Sequence, residues 1–197
     1  MTREELAKEP EMTERELVLF RPVWLGLLVA VSAAITVVFT CVTPFAAFAV
    51  IAAATVSRRD AVMLAVALWL TNQAVGFGFL HYPWTAAALA WGLALGAGAV
   101  VGALGALEIF RRLGSLRPLA RNVCAFGAAF VLYQLTLLAA AVAWLGGTDM
   151  FAPGIVSQVL MINAVTLAGL FALRQVVTGA ALLIRRRRAQ ASPARLA

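Results

Sequence analysis

All 16 Lys and Arg residues of this chain fall within four segments, 3–21, 58–59, 111–121 and 174–195, with apolar stretches between them. The connections near Cys41–Thr43, His81–Pro83 and Gly146–Pro153 hold none. Such alternation marks a polytopic membrane protein, because basic loops stay on the cytoplasmic side. Composition agrees: 63% of residues are hydrophobic and 13% charged, against roughly 45–50% and about 25% in soluble domains. The expected fold is an all-α integral membrane protein, a six-transmembrane-helix bundle with both termini cytoplasmic, multi-pass in the cell (inner) membrane. This topology accounts for the net charge of +7 without a nucleic-acid partner.

Residues 1–21 read as a charged cytoplasmic arm. They carry six glutamates and lack an apolar core, so no cleavable signal peptide is expected. Thr13-x-x-Glu16 reads as a capping box opening a short amphipathic helix that lies on the membrane or docks a partner. Pro22 suits the first turn of helix 1, which should reach about Cys41. Helix 2, Pro44 to about Val56, is short for a span. A single span over residues 22–56 would place Arg58 and Arg59 outside, together with Arg111, Arg112, Arg117 and Arg121, so six crossings fit better.

Helix 3 is expected from Ala61 to about Leu80, helix 4 from Trp84 to about Glu108, and helix 5 from about Pro118 to Trp144. Helix 6 should run from near Pro153 to about Ile184, with Arg174 marking where it leaves the hydrocarbon. The transmembrane domain is therefore 22–184, followed by a basic, disordered tail, 185–197, that starts with Arg185–Arg188. Gly92-x-x-x-Gly96 and Gly98-x-x-x-Gly102, with Gly105, mark faces of helix 4 where neighbours approach closely. Cys41 and Cys124 fall near opposite faces of the bilayer, which excludes a disulfide between them.

The polar residues concentrate on the outer side. Asn72 and Gln73 lie past the middle of helix 3, Gln134 past the middle of helix 5, and Gln158 and Asn163 in the first half of helix 6. His81, Tyr82, Trp84, Trp91 and Trp144 sit at or near the outer rim. Amides are costly in hydrocarbon unless they meet a partner or a ligand. Amides and aromatic rings at one depth could line an outward-facing pocket for a small organic molecule. The plain alternative is an interfacial aromatic belt with amides tying helices together, and His81 alone reads as a solvated loop residue.

Several chemistries lack their residues. Glu108 and Asp149 both lie at helix ends, so proton- or sodium-coupled transport lacks a carboxylate at depth. No phosphate-binding loop is present, and the glycines of helix 4 lack the G-x-G-x-x-G spacing. Ser157 and His81 are the only outer Ser and His candidates and form no nucleophile motif. Metal-type Cys/His spacing is absent. The chain is therefore expected to be neither an enzyme nor a holder of a cofactor or metal, and any transport would need energy from a partner.

With six spans in about 200 residues, an Ala30-x-x-x-Ala34 stripe, a Thr43-Pro44 start to a short helix 2 and an outer polar cluster, residues 22–184 resemble the substrate-binding S components of energy-coupling factor (ECF) transporters. The resemblance implies a vitamin- or cofactor-like substrate, with partner ATPases and a transmembrane coupling subunit. By the same resemblance, Ala30 and Ala34, on a stripe with Gly26, would dock the coupling subunit, and Asn72, Gln73, Gln134 and Asn163 would face the ligand. The competing reading is a non-catalytic accessory or assembly subunit of a larger bacterial-type membrane complex, its amides satisfied internally.

Overall fold

The computed structural model describes residues 14–39 and 43–191. Six helices follow in order: α1 Glu14–Phe39, α2 Phe45–Thr55, α3 Arg58–Gln73, α4 Ala86–Arg112, α5 Pro118–Ala140 and α6 Pro153–Ala191. Both α3 and α5 end in a π-helical turn, Ala74–Phe79 and Ala141–Leu145, and a 3-10 turn, Thr148–Phe151, leads into α6. The described residues contain no strand. All of these helices but α2 are long and apolar enough to cross a membrane. Val38, Leu93, Leu119, Val142 and Val165 stand exposed on their surfaces, as side chains facing hydrocarbon would.

The core is built around α2. Its 11 residues rise about 16 Å, well short of the ~30 Å hydrocarbon layer. Its sequence, FAAFAVIAAAT, has no polar face, and a helix apolar all round belongs in an interior. Accordingly, residues 45–52 are all buried. The alanines let neighbouring helices come close, while Phe45, Phe48 and Ile51 fill the space between them. Helices α3, α4, α5 and α6 all pack on α2, and α1 packs along α3.

One face of α1 is buried, through Trp24, Leu28, Ser32 and Thr36. The opposite face carries Ala30 and Ala34, both exposed, and Gly26, where an added Cβ would meet nothing within 4 Å. Among the described residues, the small-residue stripe is thus left out of the packing between helices.

The glycines of α4 serve two contacts. Gly96 is covered by the Trp69 ring of α3, which an added Cβ would approach to 2.7 Å. Gly98 and Gly102 face Tyr133 and Ala129 of α5, and a Cβ on Gly102 would lie 3.1 Å from the Ala129 carbonyl oxygen. The two expected close-packing faces are both present.

The arginine-bearing ends meet at one end of the bundle. Arg21 pairs with Asp60, joining the starts of α1 and α3. Ser57 caps α3: its Oγ accepts the Asp60 N–H at 3.3 Å and donates to Asp60 Oδ2 at 2.6 Å. Arg121 of α5 lies 4.7 Å from the Phe110 ring centre of α4.

Three boundaries differ from expectation. Pro22 lies inside α1 rather than in its first turn, and Glu14–Phe39 is continuous. Proline removes one helical N–H, but the strong helix formers on either side carry the helix through. Helix α3 starts at Arg58, three residues early, because Ser57 supplies the cap. Helix α6 continues through Arg185–Arg188 to Ala191, where a disordered tail was expected. Thr13 and Cys41 lie outside the described residues, and Cys124 is exposed.

Candidate functional site

Because α2 begins inside the bundle, its first backbone N–H groups cannot turn to water and need acceptors from neighbours. The Ala47 N–H is shared: it bonds the Pro44 carbonyl at 3.1 Å and Asn163 Oδ1 of α6 at 3.3 Å, and Asn163 Nδ2 donates to the Val159 carbonyl at 2.9 Å. Asn163 is 2% exposed, so this amide is consumed by the fold.

A second polar chain holds the approach to α2. Asn72 Nδ2 donates to Thr43 Oγ1 at 2.6 Å. Thr43 Oγ1 lies 3.3 Å from Thr36 Oγ1, which donates to the Ser32 carbonyl at 2.9 Å. Gln73 Nε2 in turn donates to Asn72 Oδ1 at 3.0 Å. The sequence places Asn72 and Gln73 side by side, and the structure gives them different work. Asn72 ties α3 to the start of α2, whereas Gln73 keeps an oxygen in reserve.

That oxygen, Gln73 Oε1, has no donor among the described residues and rests against Gly92, where a Cβ would overlap it. Gln73 and Gly92 both line an open cleft of about 680 Å³ between α3 and α4, at the arginine-free end. The walls are Trp69, Leu70, Ala74, Phe77, Gly78, Trp84, Leu89 and Leu93. Trp69 is fixed by its Nε1–H, which donates to the Gly92 carbonyl at 2.7 Å. Phe77 and Trp84 stack with ring centres 4.7 Å apart, and Tyr82 meets Phe77 edge-on at 6.2 Å. The Tyr82 ring also covers Gly76. The π-turn Ala74–Phe79 forms one side of the cleft; such turns widen the backbone and often accompany functional sites.

A second open cleft, about 620 Å³, lies on the other side of α4, between it and α5. The other π-turn, Ala141–Leu145, contributes Trp144, its most exposed ring, at 87%. Apart from Thr136, whose hydroxyl donates to the Leu132 carbonyl at 2.8 Å, its lining is apolar.

Of the residues expected to form one pocket, Gln73 and Trp84 share the first cleft, with Tyr82 stacked at its edge. Asn72 and Asn163 serve α2. Trp91 is half-buried against the core, and Gln134 and Gln158 join neither group. His81 is exposed, with φ of +57° and its Nδ1 2.7 Å from the Phe79 carbonyl oxygen, and shapes the turn between α3 and α4. The sequence reading missed Thr36, Thr43, Trp69 and Phe77. Thr43 was detectable as the polar residue ahead of Pro44; Phe77 was one aromatic among eleven phenylalanines.

A cleft with one free acceptor, no charge and several rings is suited to binding by shape and a single hydrogen bond. Among the described residues no three His, Cys, Asp or Glu side chains gather as a metal site. Comparison with family models, with curated proteins and with solved structures found no match to this chain.

Proposed function

We propose that the protein spans the inner membrane six times, with both termini cytoplasmic, and binds a small molecule as the substrate-binding subunit of an ECF-type uptake transporter. The observation that carries this reading is the α3–α4 cleft. Its 680 Å³ falls within the ~300–1,000 Å³ usual for ligand sites, and among its lining residues Gln73 carries an amide oxygen that no described residue bonds. The exposed Gly26, Ala30 and Ala34 stripe supports a second part of the reading, a docking face for a transmembrane coupling subunit. Small-residue faces let helices of separate chains approach closely in lipid. Partner ATPases would supply the energy.

A second reading, a non-catalytic accessory or assembly subunit of a larger membrane complex, draws support from Asn72 and Asn163, both spent on internal bonds. Purification from native membranes in mild detergent, followed by mass spectrometry, separates the two. Co-purified ATPases, a coupling subunit and a small molecule support the transporter subunit. A different multi-subunit complex with no small molecule overturns it.

A further inference from the structure

We infer that the α3–α4 cleft takes an uncharged amphiphile, a hydrocarbon body bearing a hydroxyl, and that this ligand arrives sideways from the lipid layer. The inference rests on the binding reading above and names the ligand class for that site. Its first ground is the state of Gln73. One N–H of Nε2 goes to Asn72, and Oε1 accepts from no donor among the described residues, so Gln73 brings an unused amide acceptor to the cleft. A hydroxyl can donate to Oε1, which an ester or aldehyde, having no donor, cannot do.

The second ground is charge. No ionisable side chain lines the cleft, and the three connections at this end of the bundle hold no Lys or Arg. A phosphate or carboxylate would enter an apolar site without a counter-charge, at a cost of several kcal/mol or more. A polyol such as a sugar would leave most of its hydroxyls unpaired against Trp69, Phe77, Leu89 and Leu93.

The third ground is where the cleft opens. Its walls include Leu70, Leu89, Leu93 and Trp84, all exposed on the lipid-facing surface of the bundle. Trp84, 74% exposed, sits at the rim, as interfacial tryptophans do. The second cleft serves as an internal comparison: it has similar volume and a rim tryptophan, and its one hydroxyl is already back-bonded. It can hold a lipid chain but lacks a free polar group with which to select a ligand.

The test is saturable binding of radiolabelled farnesol, retinol and cholesterol to the protein in phosphatidylcholine nanodiscs. At least one should bind, and farnesoic acid at pH 8 should not compete. Gln73→Leu should weaken binding about tenfold, the loss of one hydrogen bond in an apolar site. Gly78→Leu should abolish it by filling the cleft, since an added Cβ there meets nothing within 4 Å and the fold can stay intact. Ala143→Leu, in the second cleft, should leave binding unchanged. Unchanged helicity and melting temperature establish that the variants fold.

No saturable binding by any of these alcohols, equal affinity in wild type and Gln73→Leu, or competition by farnesoic acid would overturn the inference. If the alcohols fail while ATPases and a water-soluble compound co-purify, the ligand class falls and the transporter subunit stands. If an alcohol binds as described and no ATPase co-purifies, the transporter reading falls and the ligand class stands.

Discussion

Asn163 Oδ1 on α6 accepts the backbone N–H of Ala47, 3.3 Å away, in the first turn of the buried helix α2. Helix α6 touches few other elements, packing mainly on α2 and the preceding 3-10 turn, so this bond is a principal polar link between α6 and the core.

Asn163→Leu is therefore expected to destabilise the protein whether or not a ligand is present. It removes the side-chain half of a shared bond, since the Ala47 N–H keeps the Pro44 carbonyl at 3.1 Å, a loss of about 0.5–1.5 kcal/mol. Thermal unfolding in detergent, followed by circular dichroism, should show a clear fall in melting temperature. An unchanged melting temperature would show that Asn163 does not support α2.

Asn72 and Gln73 should separate under mutation. Asn72→Leu deletes the bond to Thr43 and should lower the melting temperature, whereas Gln73→Leu removes only its link to Asn72. Interhelical polar contacts in membranes average about 0.6 kcal/mol, so the Asn72 effect is expected to be modest and the Gln73 effect smaller. Paired melts of the single variants check the order; a larger drop for Gln73→Leu would reverse the assignment of roles.

Gly102→Val should break the α4–α5 contact, because the new side chain meets the Ala129 backbone, which cannot rotate away. Overpacking of this kind costs typically about 1–3 kcal/mol. Gly127→Val, on the neighbouring helix at a position with nothing within 4 Å, should cost much less. Equal losses in the two variants would mean that helix propensity, not close packing, sets the penalty.

The sequence made the long helices and their order readable because arginine placement and hydropathy both report the solvent, and the solvent is the membrane. It also made the two glycine faces of α4 readable from spacing alone. The direction of each amide was not readable. Asn72, Gln73 and Asn163 share a depth in the sequence reading, but two of them point inward because α2 begins inside the bundle, and only packing reveals that. Pro22 misled for a related reason: a proline inside a helix and one at its start look alike until the preceding residues are seen to be helical. The small-residue stripe of α1 reads first as packing within the bundle and second as a docking face, and no other described helix covers it.

Ala30→Leu with Ala34→Leu should leave the fold unchanged, since both positions are exposed, yet strip any partner that docks on α1. The measurement is co-purification from native membranes alongside the melting temperature of the variant. Retention of every partner with an unchanged melt would mean that the stripe faces lipid only.

The six-span proposal stands on α2 carrying the chain from the arginine-free end to the arginine-bearing end, although it is too short to cover the hydrocarbon alone. Single cysteines at Ser57, Ser115 and Thr148, all exposed, in a background with Cys41 and Cys124 replaced, decide this. With both termini cytoplasmic and α2 crossing, a membrane-impermeant maleimide added to intact cells should label the Thr148 position alone. The Ser57 and Ser115 positions should react only after lysis. If α2 instead turned back without crossing, every later connection would change sides: Ser57 and Ser115 would label from outside and Thr148 would be protected. Arginines 58, 59, 111, 112, 117 and 121 would then all face outwards, against the retention of basic loops in the cytoplasm. The labelling pattern therefore tests the short helix and the charge rule together, and the two arrangements share no labelled position.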